Sequence, residues 1–220
     1  MHRRRRTAIT VTAALLAAAP FLAGCANDAR PGAAAVVDGE RIEVSTVQAE
    51  VRDTRAAQQK SPQAAQLIKD SGQLSRAKLY DLIVDRVVER AAADAGVTVS
   101  RKEVQDGRAA IVQQSGGEEQ LAAMYLQQRG VSPDELDDAV GRDILIGKLA
   151  ESIGAGNTDQ GRQKLNAAFT SAARALDIDV NPRFGSWSDQ KLELGEYKAP
   201  WISQVSKQPE PEPEAVPDGA

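Results

Sequence analysis

The sequence predicts a mainly α domain with short β-strands near its two ends. Three observations carry that expectation. Apolar residues recur at helical spacing through most of residues 45–176, serine caps and glycine stops punctuate the same stretch, and extended β-prone pieces occur around 36–42 and 178–187.

Taken in order, Val36-Val37-Asp38-Gly39-Glu40-Arg41-Ile42 sets Asp-Gly between two β-prone pieces, a local hairpin signal. Ser45-Thr46-Val47-Gln48 reads as a capping box, with Val47 and Val51 on one helical face. A second helix is expected from Ser61-Pro62, with proline at its first position; it carries Ala64, Leu67 and Ile68 and stops near Ser71-Gly72. The strongest helix spans about Ser75 to Ala95. Leu79, Ile83 and Val87 recur at spacing four, Leu82 and Val84 widen the stripe, and Gly96 supplies the stop.

Ser100-Arg101-Lys102-Glu103 is a further capping box, leading a helix with Val104, Ile111 and Val112 that Ser115-Gly116-Gly117 breaks. Glu118 and Glu119 suit the positive end of a short helix bearing Leu121, Met124 and Tyr125, ended by Gly130. Ser132-Pro133-Asp134-Glu135 starts the next, with Leu136, Val140, Ile144, Leu145 and Leu149. After Gly154 and Gly156, a last helix from about Thr158 holds Leu165, Phe169, Ala172 and Leu176. The similar runs after Gly96 and Gly130 are two uses of one stop-and-cap signal and not a solenoid repeat.

The two ends differ from this body. Met1-His2-Arg3-Arg4-Arg5-Arg6, an apolar stretch to Leu22 and small residues before a cysteine have the layout of a secretory signal, too short for a permanent bilayer span. Leu22-Ala23-Gly24-Cys25 matches a lipobox, the motif that lipoprotein signal peptidases read. The expectation is a signal peptide over 1–24 and a diacylglyceryl cysteine, with palmitate-type acyl chains, at Cys25. One acyl chain binds a membrane marginally and two bind it stably. The mature protein is then a bacterial lipoprotein, anchored by Cys25 on the extracytoplasmic face of the cell membrane, part of the cell envelope. Residues 25–33 read as a tether, 34–205 as one helical domain, and the Pro/Glu-rich 206–220 as an extended, solvated tail.

Composition excludes several chemistries. The full chain carries 27 Lys and Arg against 31 Asp and Glu; cleavage after Gly24 removes four arginines and takes the net charge from −4 to about −8. An acidic body gives no reason to expect nucleic-acid binding. The one histidine, His2, leaves with the signal, and the one cysteine is acylated. Thiol and imidazole catalysis and the ligand sets that zinc prefers go with them, so neither an enzyme nor a cofactor nor a metal is expected.

Several of these pieces together resemble a known family. Ala35-Val36-Val37-Asp38-Gly39-Glu40-Arg41-Ile42 behind a lipoprotein start is similar to the opening of SurA/PrsA-type extracytoplasmic chaperones. The long helix before Gly96-Val97-Thr98-Val99-Ser100, the Gly130-Val131-Ser132 start and the closing Val180-Asn181-Pro182-Arg183-Phe184-Gly185-Ser186-Trp187 resemble the same family. The resemblance implies a helical SurA N-terminal-like domain whose N- and C-terminal strands pair, and which cradles extended segments of unfolded exported proteins. Better-known members also carry a parvulin prolyl isomerase domain before the closing strand. Here only 25 residues separate Ser152 from Ile178, they read as one helix, and the parvulin histidines are absent, so isomerase activity is not carried over.

Tyr80, Met124, Tyr125, Phe169, Phe184 and Trp187 are the candidate peptide-contacting side chains, since methionine and aromatics bury much area with loose geometric demands. The plainer reading is that most fill the core, because aromatics make up 4% of the chain, and that a groove would be walled by Leu, Val and Ala. Arg183 in its proline-glycine turn could bind a carboxylate, or the turn could simply dock on the first strand with Trp187 sealing the edge. Asp137, Asp138, Asp143, Asp177 and Asp179 read as solvated charge. Two functions stay open: a lipid-anchored holdase for exported proteins, or an adaptor for one dedicated membrane partner. Prolyl isomerisation survives only through a separate catalytic subunit.

Overall fold

Asp38 and Gly39 both take positive φ, 52° and 77°, and their two-residue turn fixes the first hairpin. In this computed structural model, which describes residues 31–69 and 73–197, β1 (Ala33–Val37) pairs antiparallel with β2 (Glu40–Glu43), Val37 opposite Glu40 and Ala35 opposite Ile42. The lipobox Leu22-Ala23-Gly24-Cys25, the tether up to residue 30 and the 206–220 tail lie outside the described residues. Ala33, assigned to the tether by composition, is the first residue of β1. All five residues of β1 are buried. Its other edge pairs antiparallel with β3 (Asp179–Val180), Ala35 opposite Val180, so the strand order is β2-β1-β3. The terminal strands pair as the resemblance implied. A second hairpin joins β4 (Ser186–Ser188) to β5 (Glu193–Gly195), a pairing that no sequence signal marked out.

Among the described residues seven helices follow in sequence between β2 and β3: α1 (Val44–Lys60), α2 (Ala64–Lys69), α3 (Leu74–Asp94), α4 (Arg101–Ser115), α5 (Glu118–Arg129), α6 (Leu136–Ser152) and α7 (Asp159–Ala175). None of them is long and apolar enough to cross a membrane. The Ser100 capping box forms in full, and Gly116 and Gly130 close α4 and α5 in the left-handed conformation. Val97 N–H reaches back to Ala92 O at the end of α3, as a Schellman stop does. Ser132 N–H donates to Glu135 at 2.7 Å and opens a 3-10 turn (Pro133–Glu135) that leads into α6.

Two expected starts differ. Ser45 does not cap α1: β2 runs directly into the helix, Glu43 is the residue at its N-cap, and no side-chain cap bond forms there. Proline 62 does not begin α2 either. Ser61 to Ala64 form a turn, in which Ser61 Oγ accepts from Gln63 N–H at 3.2 Å and Ser61 O from Ala64 N–H at 3.1 Å, and α2 starts at Ala64.

The helices build two cores. The first gathers Leu79, Ile83 and Val87 of α3 with Val47 and Val51 of α1, Leu149 of α6, Ala172 and Ala173 of α7, and the inner strand. The second gathers Leu121 and Tyr125 of α5 with Leu136, Ala139 and Val140 of α6, and Val104, Ile111 and Val112 of α4 lean on it half-buried. Gly107 lets α4 sit this close to α6, because a Cβ there would meet Ile144 Cδ1 at 2.7 Å.

Between the cores one ammonium is buried. Lys78 is 3% exposed and reaches both carboxylate oxygens of Glu135 at 2.8 Å. Removing one partner of such a pair strands the other charge away from water. Lys78→Ala is therefore expected to lower stability by about 3 kcal/mol, whereas Lys78→Met with Glu135→Gln recovers most of that loss; urea unfolding of the three proteins checks it.

Candidate peptide-binding cleft

α3 carries two stripes. Leu79, Ile83 and Val87 face the first core, and next to them Leu74, Lys78, Asp81, Asp85, Val88 and Ala92 follow at helical spacing on an adjoining face. From Lys78 to Ala92 that second stripe forms one wall of a cleft of about 700 Å³, and Glu50 of α1, the connection at 97–99, Val131 and Glu135, α4 and α6 form the rest. Leu82, Val88, Val97, Val99, Val104 and Leu145 supply apolar lining. Lys148 steadies the rim by donating to Thr98 O and to Glu103, both at 2.6 Å. With Ser100 N–H and hydroxyl adding to the Lys148 bond, the Glu103 carboxyl is held down at about 2.

Charge collects at the cleft's inner end. Lys78 pairs with Glu135 from the 3-10 turn, and Arg142 of α6 pairs with Asp85 of α3 at 2.6 Å. Glu50, from α1, and Asp81 make no ion pair among the described residues. Burial pushes Glu50 up to about 7, and the charge of Glu135 adds to it while Lys78 opposes. Burial also raises Asp81 and Asp85, with the Arg142 guanidinium pulling both down. These groups were not found from the sequence. The signal was available: a lysine and two aspartates continue the positions of an apolar stripe where leucine or valine would normally stand.

The six sequence candidates fall elsewhere. Phe169, Phe184 and Trp187 pack against the first core and Met124 against the second, while Tyr125 is a buried member of the second. Tyr80 is half-buried with its ring 6.2 Å from that of Trp187, and Trp187 Nε1 donates to Asp189. Tyr125 lies beneath the Arg129 guanidinium, 5.3 Å from it, and its hydroxyl bonds Asp143. None of the six lines the cleft, because two small cores consume the few large side chains available. The apolar part of the cleft lining is Leu, Val and Ala, and it stands beside six carboxylates and three cations.

The turn before β4 docks as its simpler reading had it. Asn181 donates from N–H to Ala34 O and from Nδ2 to Ala33 O, and Arg76 holds Phe184 O at 3.0 Å. Among the aspartates, Asp137 pairs with Arg108 and Asp143 with Arg129, Asp138 lines the cleft, Asp179 lies in β3 and Asp177 takes φ 45° after α7. Among the described residues no three acidic, histidine or cysteine side chains are grouped as metal ligands.

The family model for the SurA-like N-terminal domain matches residues 1–150, which takes in everything from the start through most of α6. No curated protein and no solved structure matches the chain.

The environment of Glu50 makes a pH-dependent prediction. Its folded value of about 7 lies above the ordinary 4.5, so the folded chain binds a proton more readily than the unfolded one. The cost of its charge appears as pH rises from 4.5 to 7. Glu50→Gln is expected to stabilise the protein by about 1 kcal/mol at pH 8, a figure discounted for partial exposure, and to leave stability unchanged at pH 4. Thermal melts at the two pH values test this.

Proposed function

We propose that this chain, which belongs to the SurA-like N-terminal domain family, is a membrane-anchored chaperone module that holds unfolded segments of exported proteins outside the cytoplasm. The cleft beside α3 supports this most directly. A space of about 700 Å³ with valine and leucine walls suits extended chain, since apolar surface binds many sequences with loose geometric demands. The lipobox ending in Cys25 is the ground for the anchor, and the helical 34–197 body would work at the surface to which the acyl chains hold it.

The module has no isomerase activity of its own in this reading. Residues 153–177, where a parvulin domain would be inserted, hold only α7 and its connections.

A 26–220 protein is expected to suppress aggregation of several unrelated unfolded clients at near-stoichiometric amounts, followed by light scattering. Failure to do so, with one protein recovered by crosslinking in cells, would favour the dedicated adaptor. Cys25→Ala is expected to release the protein from membranes and to abolish labelling by a fatty-acid precursor; a variant that stays membrane-bound would sink the anchor.

A further inference from the structure

We propose that the cleft selects extended segments in which a lysine or arginine is flanked by apolar residues, the cation lodging between Glu50 and Asp81. The inference rests on the reading of the cleft as the client site and adds a charge preference to it.

Six carboxylates line the cleft against three cations. Two of the six are consumed: Glu135 by Lys78 and Asp85 by Arg142. The third cation, Arg86, is half exposed at the rim and reaches Glu40 at 3.6 Å and Glu89 at 3.8 Å. Of the three carboxylates that remain, Asp138 is exposed, and Glu50 and Asp81 lie at the inner end, half-buried and without an ion pair among the described residues. Carboxylates held this way are costly when charged, and an incoming ammonium or guanidinium lowers that cost. Leu82, Val88 and Leu145 beside them provide surface for the cation's methylene stem and for its apolar neighbours.

A second observation points to polypeptide in particular. A smaller cavity of about 260 Å³ shares Lys78 and Asp81 with the cleft and is lined by Gln58. Gln58 is 4% exposed, yet its Oε1 has no hydrogen-bond partner among the described residues. A buried acceptor without a donor is expensive, and a main-chain N–H of a client entering beside Asp81 would satisfy it. The sign of the cleft disfavours the Pro/Glu segment of this chain as an occupant.

The test uses the full-length protein in neutral detergent and two fluorescein-labelled peptides, one with a central Lys-Leu-Arg between valines and its isostere with both cations replaced by Gln. At pH 8 and low salt, anisotropy should show the cationic peptide binding about tenfold tighter. In Glu50→Gln/Asp81→Asn the ratio of the two affinities should fall to about twofold or less. Both sites penalise charge, so amides there are compatible with folding. Equal binding of the two peptides, or a preference that survives the double variant, would overturn the inference while leaving the chaperone reading intact. If neither peptide bound but aggregation were still suppressed, clients would engage elsewhere and the inference would fall alone. Loss of both would remove both.

Discussion

One buried ammonium organises this domain. Lys78 sits where α1, α3 and the start of α6 converge, and nearly all of its access to water is gone. Its charge is met by Glu135, the same carboxylate that accepts from Ser132 N–H at the entrance to α6. A single side chain thus begins a helix and neutralises a lysine fifty-seven residues away. Neither task can be shifted by a turn without abandoning the other, which locks α6 to α3 in rotation as well as in distance. The arrangement is specific more than it is stabilising, because desolvating both partners offsets much of their attraction.

That lock explains why there are two cores and not one. α3 buries Leu79, Ile83 and Val87 on one side, while its Lys78–Asp85 stripe faces α6 and carries charge. Apolar residues cannot close over that stripe, so the α4–α5–α6 cluster packs on itself and leaves the cleft between. The ion pairs hold the two halves together, and the surplus carboxylates give the opening its sign.

Local features were legible in the sequence because local chemistry decides them. Asp38-Gly39, the Ser100 box and the Gly96, Gly116 and Gly130 stops need only their immediate neighbours, and each forms where the pattern put it. Ser45 had the right pattern and no role, because a strand that enters a helix directly leaves no free N-cap for it. The cleft was less readable. Its walls come from α1, α3, the 97–99 link, α4 and α6, and nothing in a single segment tells that Glu50 stands near the Lys78–Glu135 pair. The aromatics drew attention as a binding surface for a general reason, but with so few of them packing had first claim.

The central position of β1 has a consequence for how the chain assembles. Its five buried residues take β2 from their immediate sequence neighbours, but β3 arrives from the far end, Ala35 meeting Val180. Closing so long a loop is entropically slow compared with forming the helices between. During synthesis β1 therefore waits with one unpaired edge until the last tenth or so of the body follows. For that interval the protein is itself an unfinished chain with an open strand, the state from which it is proposed to shield others.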